Sequence, residues 1–182
     1  MIPNEQVSQL RAFNKDIRLK KGMVAQVLSH QKQDQIVKGT YGKQNGVWKG
    51  CAVGCSVRSL AIVKGETLKE SYNDHKRYET DLGIPESLAR LEDWLFETMP
   101  EDKAKKWPLE FIKVIPVGAD LSLVAPKFIS ATLRDLLKIK EVKDDKAVAK
   151  VVLDIAKMWD DVVNGRTPKA SAWSAAWSAA RS

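Results

Sequence analysis

Glycine interrupts this chain four times within twelve residues, at Gly39, Gly42, Gly46 and Gly50. Glycine is unfavourable inside helices and common in turns, so regular structure is expected to stop here. The stretch 39–50 therefore predicts a glycine-rich irregular loop or a short hairpin. Apolar residues on both sides recur mostly at helical spacing, which predicts a mainly α fold around this interruption.

The longest helical pattern follows Asp144-Asp145 and ends at Gly165. Its apolar positions are Val148, Val151, Val152, Ile155, Trp159 and Val162. An acidic start and a terminal glycine are typical helix boundaries. The sequence thus predicts a single helical domain over residues 1–165, followed by a C-terminal docking or oligomerisation helix over 166–182.

Shorter patterns and proline positions predict further helices. These cover 3–14, 17–37, 85–97, 101–115 with an interruption at Trp107-Pro108, and a segment ending near Ile139. The stripe Leu88, Leu91 and Leu95 is expected to face the core. Asp120 or Ser122 is expected to cap the helix that ends near Ile139. Spacing alone does not decide between helix and strand for residues 57–63.

The C-terminal segment carries an alanine-rich repeat that places Trp173 and Trp177 on one helical face. An isolated helix of this length is marginal in water. The two indoles are therefore expected to dock, either on the domain or on a second subunit, and the chain is expected to be a homo-oligomer.

Positive charge is concentrated at the start of the chain. The formal net charge is +7, and residues 1–50 hold nine Lys or Arg against three acidic residues. This asymmetry suits an anionic partner such as a nucleotide, a nucleic acid or an acidic protein, although a solvated basic face is the simpler interpretation. No apolar run long enough for a membrane span and no signal sequence are recognised, so a cytoplasmic location without membrane contact is expected.

Both cysteines lie in Lys49-Gly50-Cys51-Ala52-Val53-Gly54-Cys55-Ser56, each directly after a glycine. Residues four apart share one face of a helix. In a reducing compartment such a pair is more often two free thiols, or catalytic or metal-binding groups, than a disulfide. The stretch therefore marks a candidate site where the glycine-rich segment enters a regular element.

A wider set of motifs resembles a family of bacteriophage and prophage proteins, whose members often end in Ala/Trp/Arg-rich helical repeats. The residues that carry the resemblance are Gly50-Cys51-Ala52-Val53-Gly54-Cys55, His75, Tyr78-Glu79, Leu82-Gly83-Ile84-Pro85, Leu91-Glu92-Asp93-Trp94, Phe96-Glu97, Trp107-Pro108, Phe111 and Pro116 to Ser122. The resemblance implies a phage setting and a host-cell location, and it implies no activity. Residues 57–74 are longer and the tail is shorter than the family pattern.

Two reactive chemistries could use the cysteines. As a hydrolase, Cys51 or Cys55 would be the nucleophile and His75 the base, with Glu79, Asp81 or Asp120 as the orienting acid. As a zinc protein, Cys51, Cys55 and His75 would be ligands, with Glu79, Asp81 or His30 as the fourth. No signature of a cysteine hydrolase is present, and the four-residue cysteine spacing is a poor match to zinc knuckles.

A binding role without catalysis is favoured, because small residues around the thiols let a backbone or ligand approach closely. The expected ligand is a small anion, such as a nucleotide immune signal of the host, with no cofactor. The ligand-binding residues would comprise phosphate contacts Lys43, Lys49 and Arg58, stacking groups Tyr41, Trp48 and Tyr78, hydroxyl acceptors Glu79 and Asp120, and the surrounding Gly50, Cys51, Cys55 and His75. The alternative is an antagonist that binds a host protein or nucleic acid.

Overall fold

The computed structural model describes residues 9–44 and 46–179, and it confirms a mainly helical protein. The described residues form ten α-helices and one two-stranded ribbon. They divide into two compact units, residues 9–121 and residues 122–179. The helix predicted within 166–182 belongs to the second unit, and the domain boundary predicted after residue 165 stays a prediction.

The first unit contains the candidate site. Its elements are a 3-10 helix (Ala12–Lys15), α1 (Ile17–Lys32), β1 (Lys43–Gln44), β2 (Val47–Trp48), α2 (Ala52–Val63), α3 (Lys76–Leu82), α4 (Glu86–Thr98), α5 (Glu101–Ala104) and α6 (Trp107–Val114). The two strands pair antiparallel, with Lys43 opposite Trp48 and Gln44 opposite Val47. The predicted short hairpin is therefore present.

Helix α2 is the central element of this unit and packs against α1, α4 and α6. Almost all of it is buried, including the small residues Gly54, Cys55, Ser56 and Ser59. Small side chains allow neighbouring helices to approach on several sides. The segment therefore lacks a polar face, and its sequence shows no apolar–polar periodicity that would identify it as a helix. Residues 57–63, which spacing left undecided, are thus helical.

The start of the chain differs from its predicted helix. Residues 3–8 of that prediction lie outside the described residues, and residues 9–14 contain no α-helix. The backbone N–H of Ala12 instead donates to the carbonyl of Ala119, and Leu121 donates to Leu10. Pairing with this later segment replaces the helical hydrogen bonds and brings the chain into a 3-10 turn.

Helix α4 is rotated relative to the predicted apolar stripe. Its fully buried residues are Ala89, Glu92 and Phe96, whereas Leu88, Leu91 and Leu95 are half-buried. The difference arises because Glu92 has a buried partner, described below, that makes burial of its carboxyl group possible. This rotation also places Asp93 and Glu97 beside the start of α2.

The second unit consists of α7 (Val124–Leu136), α8 (Lys140–Asp144), α9 (Lys146–Val163) and α10 (Ala170–Ala179). Helix α9 begins directly after Asp145, as the sequence predicts, and Asp145 caps it by accepting from the N–H groups of Ala147 and Val148. The predicted cap of α7 by Asp120 or Ser122 is wrong, since Leu123 precedes the helix and makes no side-chain cap.

The C-terminal helix docks within this unit. The Trp173 ring lies 5.1 Å from the Trp159 ring in an edge-to-face arrangement, and Trp173 is buried. Trp177, expected on the same docking face, is 60% exposed. Docking of the helix therefore depends on one indole of the pair, and the predicted homo-oligomer stays a prediction.

Candidate functional site

Cys51 occupies the residue directly before α2, where its side chain caps the helix. Its Sγ atom accepts a hydrogen bond from the Gly54 N–H at 3.5 Å. The backbone N–H of Cys51 donates to the Thr40 carbonyl at 2.7 Å, and Gly50 pairs with Gln35. These bonds tie the glycine-rich segment to the chain leaving α1 and hold the thiol in a fixed, buried position.

Asp93 on α4 connects this thiol to two other groups. The Cys51 thiol donates to Asp93 Oδ1 at 3.1 Å, and the Tyr41 hydroxyl donates to Oδ2 at 2.9 Å. His75 Nε2 lies 3.0 Å from the same Oδ2. We call Tyr41, Cys51, His75 and Asp93 the Asp93 cluster. Its members come from four separate segments of the chain.

The His75 ring is held at both of its nitrogen atoms. Nδ1 lies 3.1 Å from the backbone carbonyl of Asn73, and Nε2 faces the Asp93 carboxylate. A carbonyl and a carboxylate can only accept hydrogen bonds, and a neutral imidazole can donate only one. The His75 ring therefore lies between two acceptors, and the His75 and Asp93 side chains are each 14% exposed.

The same surroundings keep the Cys51 thiol protonated. Burial raises the pKa of Cys51 well above its usual range, the Gly54 N–H opposes this, and the negative charge of Asp93 raises the pKa further. Nucleophilic catalysis requires the thiolate. A thiol that donates to a carboxylate is thus the opposite of an activated nucleophile, and the hydrolase interpretation gains no support from this geometry.

Cys55 lies one helical turn further on and has a different environment. Its thiol is fully buried and contacts the Gly50 carbonyl at 3.4 Å. Burial also raises the pKa of Cys55. Both cysteines are free thiols. The two cysteines, close in sequence, therefore have different surroundings. Cys51 belongs to the Asp93 cluster, and Cys55 lies in the core.

A second cluster is built around Arg58, in the middle of α2. The guanidinium carbon of Arg58 lies 4.6 Å from the centre of the Trp48 ring and 5.8 Å from that of Tyr72. The His30 ring is 5.1 Å from Trp48. We call Arg58, Trp48, Tyr72 and His30 the Arg58 cluster. Cation–π contacts attract the guanidinium to these rings without using its N–H groups.

Polar groups of the Arg58 cluster are left without partners. Among residues 9–44 and 46–179, Arg58 is the one arginine with no carboxylate within ion-pair distance. The buried Trp48 Nε1 and His30 Nε2 also have no hydrogen-bond partner. Buried polar groups are normally satisfied, so these two atoms are open to a further hydrogen-bond partner.

His30 is neutral in this setting. Burial lowers its pKa, an effect that the hydrogen bond with Gln35 opposes and the charge of Arg58 reinforces. Nδ1 lies 2.6 Å from the side-chain oxygen of Gln35, which requires a proton on Nδ1. The unpartnered Nε2 is consequently an acceptor, whereas the indole N–H of Trp48 is a donor.

Three of the predicted ligand contacts are bonded to other parts of the fold. Tyr78 is fully buried and donates to Glu92 at 2.6 Å. Glu79 accepts at 3.1 Å from the N–H of Glu86, the first residue of α4. Asp120 pairs with Arg11 at 3.1 Å. Each of these groups is thus engaged in holding segments of the fold together.

Lys43 and Lys49 are the other two predicted phosphate contacts. The side chain of Lys43 lies outside the described part of the structure. Lys49 is half-buried, and its backbone N–H donates to the Gly42 carbonyl within the hairpin. Sequence reasoning missed Asp93 and Tyr72 as site residues. The available signal was the spacing of Asp93 and Glu97, four residues apart on one side of a helix.

No family model, curated protein or solved structure matches the chain. Within the described residues, none of the helices is both long enough and apolar enough to pass through a bilayer. Function therefore has to be inferred from the two clusters themselves.

Proposed function

We propose that this protein binds a small anionic ligand of the nucleotide class at the Arg58 cluster, without catalysing a reaction. The observation that carries the proposal is the guanidinium of Arg58, which has no ion-pair partner among the described residues and lies over the Trp48 and Tyr72 rings. Every other arginine among residues 9–44 and 46–179 has a carboxylate partner. A phosphate could supply the bidentate partner that Arg58 lacks.

The neighbouring unpartnered atoms suit the remainder of such a ligand. Trp48 Nε1 offers a hydrogen-bond donor and neutral His30 Nε2 offers an acceptor. Nucleobases and amides present both kinds of group on one edge. Aromatic rings beside the guanidinium add stacking surfaces for a base. These atoms are buried, so we expect a nucleotide to require a shift of the Trp48 or Arg58 side chain, whereas phosphate contacts the half-buried guanidinium directly.

Titration calorimetry with a panel of defined probes tests this proposal. The probes are inorganic phosphate, adenosine monophosphate, a cyclic dinucleotide and ADP-ribose. We expect the wild-type chain to bind at least one of them. Arg58→Gln should weaken that binding at least about tenfold, because a hydrogen bond to a charged group contributes about 1.5–3 kcal/mol. Arg58→Lys should restore only part of it, since lysine lacks the planar fork.

A matched control separates a specific site from general positive charge. Arg18 has a side chain that is 90% exposed, and Arg18→Gln removes the same charge from α1. This variant should bind the probe like the wild type. Equal loss in both variants, or strong binding of any duplex with steep salt dependence, would favour a nucleic-acid surface and overturn the proposal. It also fails if no probe binds or if Arg58→Gln binds normally.

A further inference from the structure

Three metal-ligating side chains meet beside the first turn of α2. The Cys51 thiol and one carboxylate oxygen each of Asp93 and Glu97 lie within 4.8 Å of one another. Among residues 9–44 and 46–179, this is the group of at least three His, Cys, Asp or Glu donors that meets that spacing. Asp93 and Glu97 lie one turn apart on α4, so a rigid helix sets their separation.

His75 adds a nitrogen donor at the edge of this group. Its Nε2 lies 3.0 Å from Asp93 Oδ2, while Nδ1 is held by the Asn73 carbonyl. A histidine that ligates a metal usually donates its other ring N–H to a carbonyl or carboxylate, which fixes the ring and its tautomer. The Asn73 carbonyl provides that support, and it leaves Nε2 as the atom available to a cation.

We propose that Cys51, His75, Asp93 and Glu97 form a binding site for Zn²⁺. A thiolate together with an imidazole selects a borderline ion such as zinc over Mg²⁺ or Ca²⁺, which prefer oxygen ligands. Zinc takes ligands at about 2.0–2.3 Å, which places neighbouring donors roughly 3–4 Å apart. The Cys51 and Asp93 donors, 3.1 Å apart, already have this spacing.

Binding of a cation at this site replaces the proton of the Cys51 thiol. That thiol donates a hydrogen bond to Asp93, so its Sγ already faces the carboxylate that would share the ion. Binding of Zn²⁺ forms bonds to Sγ and Nε2 and releases the thiol proton to the solvent. The Tyr41 hydroxyl can keep its hydrogen bond to Asp93 and so orient the carboxylate.

Cobalt substitution tests the site directly, because a Co²⁺–thiolate bond gives a charge-transfer absorption. The full chain is first treated with a chelator and then titrated with Co²⁺ and with Zn²⁺ as competitor. We expect the wild type to show the absorption and Zn²⁺ to abolish it. Cys51→Ser should lose the absorption, whereas Cys55→Ser should keep it, because Cys55 is fully buried and lies outside the donor group.

Two further variants separate ligation from folding and from the anion site. Glu97 is exposed, so Glu97→Gln should fold normally. Its affinity for Zn²⁺ should fall by more than the roughly 10–100-fold loss that is typical of an outer-shell partner. Arg58→Gln should leave the Co²⁺ spectrum unchanged. The proposal is overturned if the wild type binds neither ion, if Cys51→Ser retains the absorption, or if Glu97→Gln binds Zn²⁺ with unchanged affinity.

Calorimetry in two buffers of different ionisation enthalpy measures the protons released. We expect at least one proton per Zn²⁺ at neutral pH, released from the Cys51 thiol. Cys51→Ser should lower this number. Release of no protons by the wild type would contradict ligation by the thiol, whatever the affinity measured.

Discussion

The Tyr78 hydroxyl donates a hydrogen bond of 2.6 Å to the Glu92 carboxyl group, and both side chains are completely buried. The second carboxyl oxygen of Glu92 has no partner in the described structure. Burial raises the pKa of Glu92 to about 8; the Tyr78 bond opposes this increase and the charge of Asp93 adds to it. Glu92 is thus mainly neutral at pH 7, which explains how a carboxyl group occupies the core face of α4.

This pKa gives the stability of the fold a specific pH dependence. Unfolded Glu92 titrates near 4.5, so between that pH and about 8 the folded chain holds a proton that the unfolded chain has lost. The contribution of Glu92 to the free energy of unfolding therefore falls as pH rises through this window. Glu92→Gln, which stays neutral, should abolish this decline. Urea denaturation across this pH window, with a chelator present, measures the difference. If Glu92 were ionised throughout, the free energy of unfolding would change with pH equally in the two proteins.

Asp81 should have the opposite pH dependence. Burial raises its pKa, but hydrogen bonds from Lys64 and Arg77, at 2.6 and 2.8 Å, outweigh burial and lower the pKa below 3.8. Its stabilisation is therefore present above pH 3.8 and is lost as pH falls through the lowered value. Asp81→Asn should cost about 1–3 kcal/mol at neutral pH and little in strong acid.

The matched control for Asp81 is an exposed ion pair. Asp154 pairs with Lys150 one turn away on α9, and its side chain is 45% exposed. Asp154→Asn should change the free energy of unfolding by no more than about 0.5 kcal/mol. If chemical denaturation at neutral pH gave equal losses for both variants, the Asp81 network would contribute no more than a surface pair.

The two glycines that precede the cysteines should respond differently to alanine. A Cβ at Gly50 would lie 2.7 Å from the Trp48 ring, whereas the nearest atoms to a Cβ at Gly54 are 3.5 Å away. Gly50→Ala should therefore displace Trp48, destabilise the fold by about 1–3 kcal/mol and weaken anion binding. Gly54→Ala lies in a helix and should be neutral or slightly stabilising. Thermal unfolding and calorimetry of both variants measure this difference, and equal effects would show that Trp48 is free to shift.

The fold could be predicted from sequence where local signals agree. Asp145, the apolar spacing that follows it and Gly165 together defined α9 almost to the residue, because capping and periodicity act within a few positions. The predicted N-terminal helix is wrong at Arg11 to Asn14 because the structure there depends on residues distant in sequence. Its backbone pairs with residues more than a hundred positions later, and local spacing carries no information about such a partner.

The candidate site was only partly predictable for the same reason. Tyr41, Cys51 and His75 were proposed as site residues from their chemistry, but the carboxylate that joins them, Asp93, was not. Asp93 reaches them because α4 is turned to bury Glu92, and this rotation depends on Tyr78. A glutamate in a helical sequence is normally assigned to the exposed face. The buried face of α4 is therefore predicted one residue away from its observed position.

Docking of the C-terminal helix through one indole gives a paired test. Trp173 packs edge to face on Trp159 and is buried, whereas Trp177 is 60% exposed. Trp173→Ala should cost up to about 3–5 kcal/mol, limited by undocking of α10, and should expose its amides. Trp177→Ala should change the free energy of unfolding by less than about 0.5 kcal/mol. Hydrogen exchange across 170–179 measures this directly, and equal protection in both variants would mean that alanine packing, not the indole, holds the helix.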